Sequence, residues 1–177
     1  MTGGLREADE GDVERILRWR NHPTVRRVSF TTHEIGLSQH RAWFAAVRAD
    51  PIRQLLIYQY GTTPAGVVMF SDVESARGSA EWHFYLDVEG LGRELLPAWL
   101  RLEQAAVDYA FDVLGLEVLG GATLADNRQV LQLHKRFGFA ETRRYVREVD
   151  GVSREVVWME LRAADRRTGR KRKPDDS

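Results

Sequence analysis

Apolar side chains recur at helical spacing near the N-terminus: Val13, Ile16 and Leu17, then Trp19 or Arg20, after Asp12 as a candidate N-cap. Asn21-His22-Pro23 ends that helix, since the residue before a proline avoids the helical region. The spacing predicts a second helix over 38–49, capped by Ser38, with Trp43, Ala46 and Val47 inward and Pro51 just beyond it. From there the period falls to two. Strands are expected at 54–60 and 65–70, joined by a turn of Gly61, Thr62, Thr63 and Pro64, and at 80–87 after Gly78. A long helical stretch follows and ends near Phe111. A short apolar strand at 116–123 precedes an amphipathic helix over 127–137. That helix carries Val130, Leu131, Leu133 or His134, and Phe137 on or near its buried side, and Gly138 stops it. Two last strands, 142–149 and 154–161, flank Asp150-Gly151, a hairpin signal because glycine accepts the positive φ of a tight turn. There are no internal repeats. The order implies a mixed α/β sheet of about seven strands.

Composition narrows the class. The chain has 177 residues, 43 % apolar and 29 % charged, which suits one globular domain with a sizeable core. There are 26 basic and 26 acidic residues, a balance that disfavours a wholly basic nucleic-acid binder. The neutrality is a cancellation. Residues 162–177 hold seven basic and three acidic residues, leaving nineteen basic and twenty-three acidic before them. We therefore expect a domain at 1–161 and a basic, disordered tail at 162–177. Cysteine is absent, so no disulfide, zinc-thiolate site or cysteine nucleophile exists. No apolar run approaches the roughly 20 residues of a membrane span, and the first residues show no signal peptide, so a cytoplasmic protein without membrane contact is expected.

Two constellations carry candidate chemistry. Asp87-Val88-Glu89-Gly90-Leu91-Gly92-Arg93 joins a strand to a helix. Glycines there let a backbone approach a phosphate, which the helix N-terminus attracts. No Gly-Lys-Ser/Thr and no third glycine follow, so it is neither a P-loop nor a dinucleotide fingerprint. The second is the strand LEVLGGATLA, then Asn127, the helix LQLHKRFGF and another strand. Phe137 and Phe139 are core candidates; the functional content lies in Asn127 and His134.

Asn127 with LHKRFGF, preceded by a helix ending Tyr109-Ala110-Phe111, resembles the second half of the GNAT superfamily of acetyl-CoA-dependent N-acetyltransferases. WRNHPTVRRVSF (19–30), EIGLSQHRAWF (34–44) and EWHFYL (81–86) resemble the nucleotide-linked amino-sugar N-acetyltransferases of the pseudaminic acid pathway. Ribosomal-protein N-terminal acetyltransferases also carry WRN-like first helices. The resemblance spans residues 3–161.

It implies a fold with about four helices in which two parallel strands, here 80–87 and 116–123, splay to admit acyl-CoA. Backbone groups of Leu86 and Val88 would pair with the pantetheine amides as an added strand would. Gly90, Leu91, Gly92 and Arg93 would receive the pyrophosphate, beside Asp87, and Asn127 would hold the cofactor arm. Acetyl-CoA is the expected donor, with no metal. The implied reaction is direct attack of an amine on the thioester, with the amino group of a nucleotide-activated amino sugar as acceptor. A protein N-terminus or small amine, or a catalytically degraded acyl-CoA-binding module, are the alternatives.

Glu81, His83 and Tyr85 share one face of the central strand, so any of them could meet the amine or the acetyl group. His134 stands where the family commonly has a tyrosine that protonates the thiolate. Asp87 stands where it usually has Gln or Arg. The helix from Gly92 to Phe111 is longer than the family's by roughly two turns. Pro97 inside it implies either an extended loop or a kink. Arg20, Asn21, Arg26 and Arg27 flank the first helix break on the expected acceptor side, where arginine suits a diphosphate. His40 and Trp43, three apart on one helix, complete that side. A homodimer through the sheet edge or the C-terminal hairpin is compatible with this arrangement.

Overall fold

A computed structural model describes residues 4–74 and 78–166. Among them, seven strands form one sheet in the order β1-β2-β3-β4-β5-β7-β6. The strands are β1 (Gly4–Glu7), β2 (Gln54–Tyr60), β3 (Thr63–Glu74), β4 (Ser79–Leu86), β5 (Val118–Leu124), β6 (Ala140–Val149) and β7 (Val152–Arg162). The helices are α1 (Val13–Asn21), α2 (Pro23–Arg27), α3 (Leu37–Ala49), α4 (Val88–Leu91), α5 (Leu95–Asp108) and α6 (Arg128–Arg136). Four are long, as expected; α2 and α4 are single short turns.

Every neighbouring pair is antiparallel except β4 and β5. Those two pair only at Ser79 with Val118, Ala80 with Leu119 and Glu81 with Gly120. Beyond Glu81 they part. β4 stays with β3 out to Leu86, and β5 stays with β7 out to Leu124. The outer neighbours thus hold a gap open in the middle of the sheet.

Period two divides the core. Leu55, Ile57, Val67 and Met69 face α1 and α3, where Ile16, Trp19, Phe44 and Val47 cover them. Leu56, Tyr58, Val68, Phe70, Trp82 and Leu86 face α5, which contributes Ala98, Leu102 and Ala106, with Ala110 just beyond its end.

Several expectations shift. The N-terminal strand β1 was not expected; it is four residues long, too short for a periodic signal. Asp12 does precede α1 but makes no capping bond to it. Its carboxylate instead takes two hydrogen bonds from Arg6, at 2.7 and 2.8 Å, and one from the Asp9 amide. His22-Pro23 ends α1 and also opens α2, with the proline at the first helical position, where its missing N–H costs nothing. Ser38 lies inside α3; Gly36 takes the cap position without a side-chain bond. Phe44, not Ala46, is the inward residue. Thr63 and Pro64 belong to β3, which leaves Gly61-Thr62 as the turn. Pro97 is the third residue of α5, so the extended-loop alternative holds, with α4 and a 3₁₀ turn over Gly92–Glu94 preceding the helix. The hairpin turn is as read: Asp150 and Gly151 have φ of 47° and 80° between the paired Val149 and Val152.

Order also reaches past residue 161. Ala163–Asp165 forms a 3₁₀ turn, and the Arg166 guanidinium bonds Asp108 and Asp112. The remainder of the expected tail, 167–177, lies outside the described residues.

Candidate active site

A cleft of about 950 Å³ runs through the gap between β4 and β5. Both faces of β4 contribute to it. Glu81, His83 and Tyr85 line it from the α1–α3 side; Trp82, Phe84 and His134 line it from the α5–α6 side. Leu86 and Val88 line its far end with Asn127, Arg128 and Gln129. The β5-facing edge of β4 beyond Glu81 has no strand partner. That edge fits an extended, amide-bearing arm laid between the strands. Asn127 sits at the N-cap of α6, makes no capping bond and turns to the cleft.

Burial raises the Glu81 carboxyl above its ordinary range; Asp72 adds to this and Arg147 opposes it. His83 reaches the open cleft but is ringed by protein. That burial, with Arg20 and Arg53, holds the imidazole down to about 4, so it is neutral at pH 7. Burial raises the Tyr85 phenol well above its ordinary value, against the pull of Arg20, so it keeps its proton.

The end of the cleft expected to take the acceptor is closed by the loop after α2 and by the β6–β7 hairpin. Asp150 accepts from the amide and hydroxyl of Thr32, both at 2.6 Å. Arg147 lies over the Phe30 ring, 4.6 Å from its centroid, and both line the cleft. Arg20 donates to the Thr31 carbonyl at 3.1 Å through Nη2. Its Nη1 is buried with no hydrogen-bond partner among the described residues. Burial lowers its pKa, but a guanidinium still keeps its charge.

Not every expected residue meets this cleft. Asn21 does not line it. Its amide clamps Ile35, donating to the carbonyl at 2.8 Å and accepting from the N–H at 2.9 Å, so it holds the loop that frames that end of the cleft. Arg26 also stands outside the lining, its Nε buried without a partner among the described residues, whereas Arg27 is part of it. His40 lines the cleft but is 3 % exposed, and its Nε2 meets the Val13 carbonyl at 3.0 Å. Burial lowers its pKa, so it serves as a neutral strut between α3 and α1, stacked on Trp43.

The glycine turn differs from expectation too. The Gly90 amide donates to Asp87 Oδ1 at 2.9 Å, Leu91 to the Asp87 carbonyl at 3.0 Å, and Gly92 to the Val88 carbonyl. A Cβ at 90 would stand 2.2 Å from Asp87 Oδ2, so a side chain there would push that carboxylate off its cap. Leu91 packs on the core, and Arg93 is exposed. A phosphate meeting these three amides has to displace the turn's own acceptors.

His134 is 4 % exposed, and its Nδ1 lies 2.5 Å from Oε1 of Glu103, a residue 0 % exposed. Sequence reasoning missed Glu103 and Arg147. Both had signals: a glutamate inside the apolar stripe of α5, and an arginine alternating with Tyr145 and Arg143 on one hairpin face. Among the described residues no group of His, Asp or Glu could hold a metal ion, and no helix is long and apolar enough to cross a membrane.

Comparison with known proteins agrees with this geometry. The acetyltransferase (GNAT) domain family matches residues 4–140. Acetyltransferase PseH of Campylobacter jejuni subsp. jejuni, in serotypes O:2 and O:23/36, is 24 % identical over 135 residues, 75 % of this chain and 80 % of that protein. The Vibrio cholerae spermidine N-acetyltransferase in complex with CoA and spermine shares the fold. Its TM-score is 0.81 at 19 % identity, over 93 % of this chain and 97 % of that one. The spermidine/spermine N-acetyltransferase SpeG of the same organism, with manganese ions, superimposes with a TM-score of 0.72 at 19 % identity, over 91 % and 92 %. The parted strands and the cleft between them therefore have a plain meaning: this chain belongs to the GNAT family and is an acetyl-CoA-dependent N-acetyltransferase.

Proposed function

We propose that the acceptor is the amino group of a nucleotide-activated amino sugar, a 4-amino-deoxy sugar in the expected case, acetylated by direct sequential transfer in the cytoplasm. One observation carries this reading. The acceptor arm is lined by Arg20, Arg27 and Arg147, and Arg20 brings a buried Nη1 with no partner among the described residues. A buried guanidinium donor without an acceptor suits a phosphate oxygen, and a diphosphate supplies several. The aromatic face of Phe30 lies in the same arm. A polycationic amine would meet these cations at a cost. The similarity to PseH supports the same choice.

Acetyl-CoA supplies a thioester whose carbonyl carbon is the electrophile and whose sulfur leaves as thiolate. The chain's residues do the rest. Glu81 takes the amine proton, directly or through water, because its raised pKa makes it a stronger base than an exposed carboxylate. Neutral His83 and the protonated Tyr85 hydroxyl orient the acceptor along the same face. His134, from the opposite face of β4, protonates the sulfur. Amine and leaving group thus approach the gap from two sides. The backbone of Leu86 and Val88, and Asn127, hold the arm. Without cysteine no acyl-cysteine forms, so both substrates bind before transfer.

Thiol release with nucleoside-diphosphate amino sugars, compared with spermidine and an N-terminal peptide, tests the reading. Turnover with the sugar nucleotide, with KM raised at least about tenfold in Arg20→Ala, is expected. Turnover with spermidine or peptide alone overturns it.

A further inference from the structure

Helix α5 turns Ala98, Leu102 and Ala106 onto the sheet, and Glu103 stands within that apolar stripe. Among the described residues its side chain has one hydrogen-bond partner, His134 Nδ1, 2.5 Å from Oε1; Oε2 is buried with none. A carboxylate left half-satisfied in a core is a poor structural device, because a neutral or apolar residue of similar size would fill the place at less cost. The His134 ring is wedged between Trp82, Phe84 and Phe139, with centroids 5.0 to 6.1 Å away, and it also lines the cleft. As a carboxylate Glu103 can only accept, and the hydrogen between the two groups then sits on Nδ1. Nε2 is then the nitrogen left for the cleft.

We infer that Glu103 is a positioning residue for acetyl transfer: it fixes the His134 ring with Nδ1–H toward the core and Nε2 toward the parted strands, and it stabilises the ring when that ring is charged. The inference rests on the reading of His134 as the acid. In the step, the amine nitrogen forms its bond to the thioester carbon and loses a proton to Glu81. The carbon–sulfur bond breaks, its electron pair stays on sulfur, and sulfur takes the Nε2 proton to become a thiol. His134 is left neutral with its hydrogen on Nδ1, still facing Glu103. Exchange with solvent returns one proton to Nε2 and removes one from Glu81. The charged ring before the step and the neutral ring after it need the same orientation, and a buried acceptor provides it.

Glu103→Gln keeps the shape and an acceptor oxygen but removes the charge. In the full-length enzyme it should lower kcat at least about tenfold, the lower range for interference with general acid catalysis, while CoA affinity by calorimetry and both KM values stay within about twofold. Nitrogen NMR of the His134 ring should show hydrogen on Nδ1 in the native protein, with its proton signal shifted far downfield and moved back in Glu103→Gln. In a His134→Tyr background, where the acid needs no tautomer, Glu103→Gln should change kcat less than about twofold. Undiminished kcat in Glu103→Gln, or a ring without hydrogen on Nδ1, overturns the role of Glu103; the NMR arm decides it even if the variant does not fold. Unchanged kcat in His134→Phe would instead overturn the acid itself.

Discussion

Glu81 marks the point where β4 and β5 lose each other, and its surroundings decide what it can do. Burial raises its pKa, Asp72 raises it further, and Arg147 pulls it back. A base works only when deprotonated, so kcat/KM should fall as pH drops through that raised pKa, above the ordinary carboxylate range. Asp72→Asn removes a like charge, so the acidic limb should move to lower pH. A pH profile of kcat/KM for the two proteins checks this; a limb that stays in place means that another group sets it. His83, held down to about 4, is neutral at pH 7. Sequence marks residue types and not their partners, which explains what was legible at this scale. The faces of Glu81, His83, Tyr85 and His134 were legible because strand period and helix stripe set them. Asn21 and His40 were legible as special, but their partners, Ile35 and Val13, lie 14 and 27 residues away.

The short helix α4 shows how an element can be complete without its ligand. Asp87 caps it, and the three amides that resemblance assigned to pyrophosphate are bonded inside the turn. The Asp87 carboxylate is held on the Gly90 amide, but its charge still stands beside the turn that resemblance assigned to a pyrophosphate. Asp87→Asn keeps the capping oxygen and removes the charge. It should lower KM for acetyl-CoA about three- to tenfold, the worth of deleting one nearby like charge in a partly hydrated site, with kcat unchanged. Initial-rate kinetics at fixed ionic strength measures this; an unchanged or higher KM would put the pyrophosphate elsewhere. The extra helical length before Phe111 was visible in the sequence, and Pro97 already limited the explanations to two. Only the structure shows the choice, since a proline in the first turn of α5 meets no carbonyl that needs its N–H. β1 left no such trace, for its four residues gain order only by pairing with β2.

At the scale of the molecule, the N- and C-terminal halves meet at the parted strands, and the C-terminal hairpin reaches back to the first half through Asp150 and Thr32. The mixed sheet and six of its seven strands were legible because strand and helix periods alternate in order. The closing of one end of the cleft by Arg147 was not, because it depends on a contact across 118 residues that brings the hairpin tip to the loop after α2. The same long reach carries the fold past residue 161. Arg162 pairs with Val118, and Arg166 bonds Asp108 and Asp112, so residues 162–166 are part of the fold. Residues 167–177 carry five basic and two acidic side chains, and acetyl-CoA is an anion. Deleting 167–177 should leave kcat and Tm unchanged. At about 0.15 M salt, where the Debye length is about 8 Å, KM for acetyl-CoA should stay within about twofold. Deleting from 162 removes the Arg166 ion pairs as well and should lower Tm by about 5 °C, the shift expected for a loss of one to two kcal/mol in a chain of this size. Thermal melts and initial rates on the two truncations separate these effects. If the shorter deletion raised KM for acetyl-CoA at low salt and not at high salt, the basic segment would be drawing the anionic donor toward the cleft.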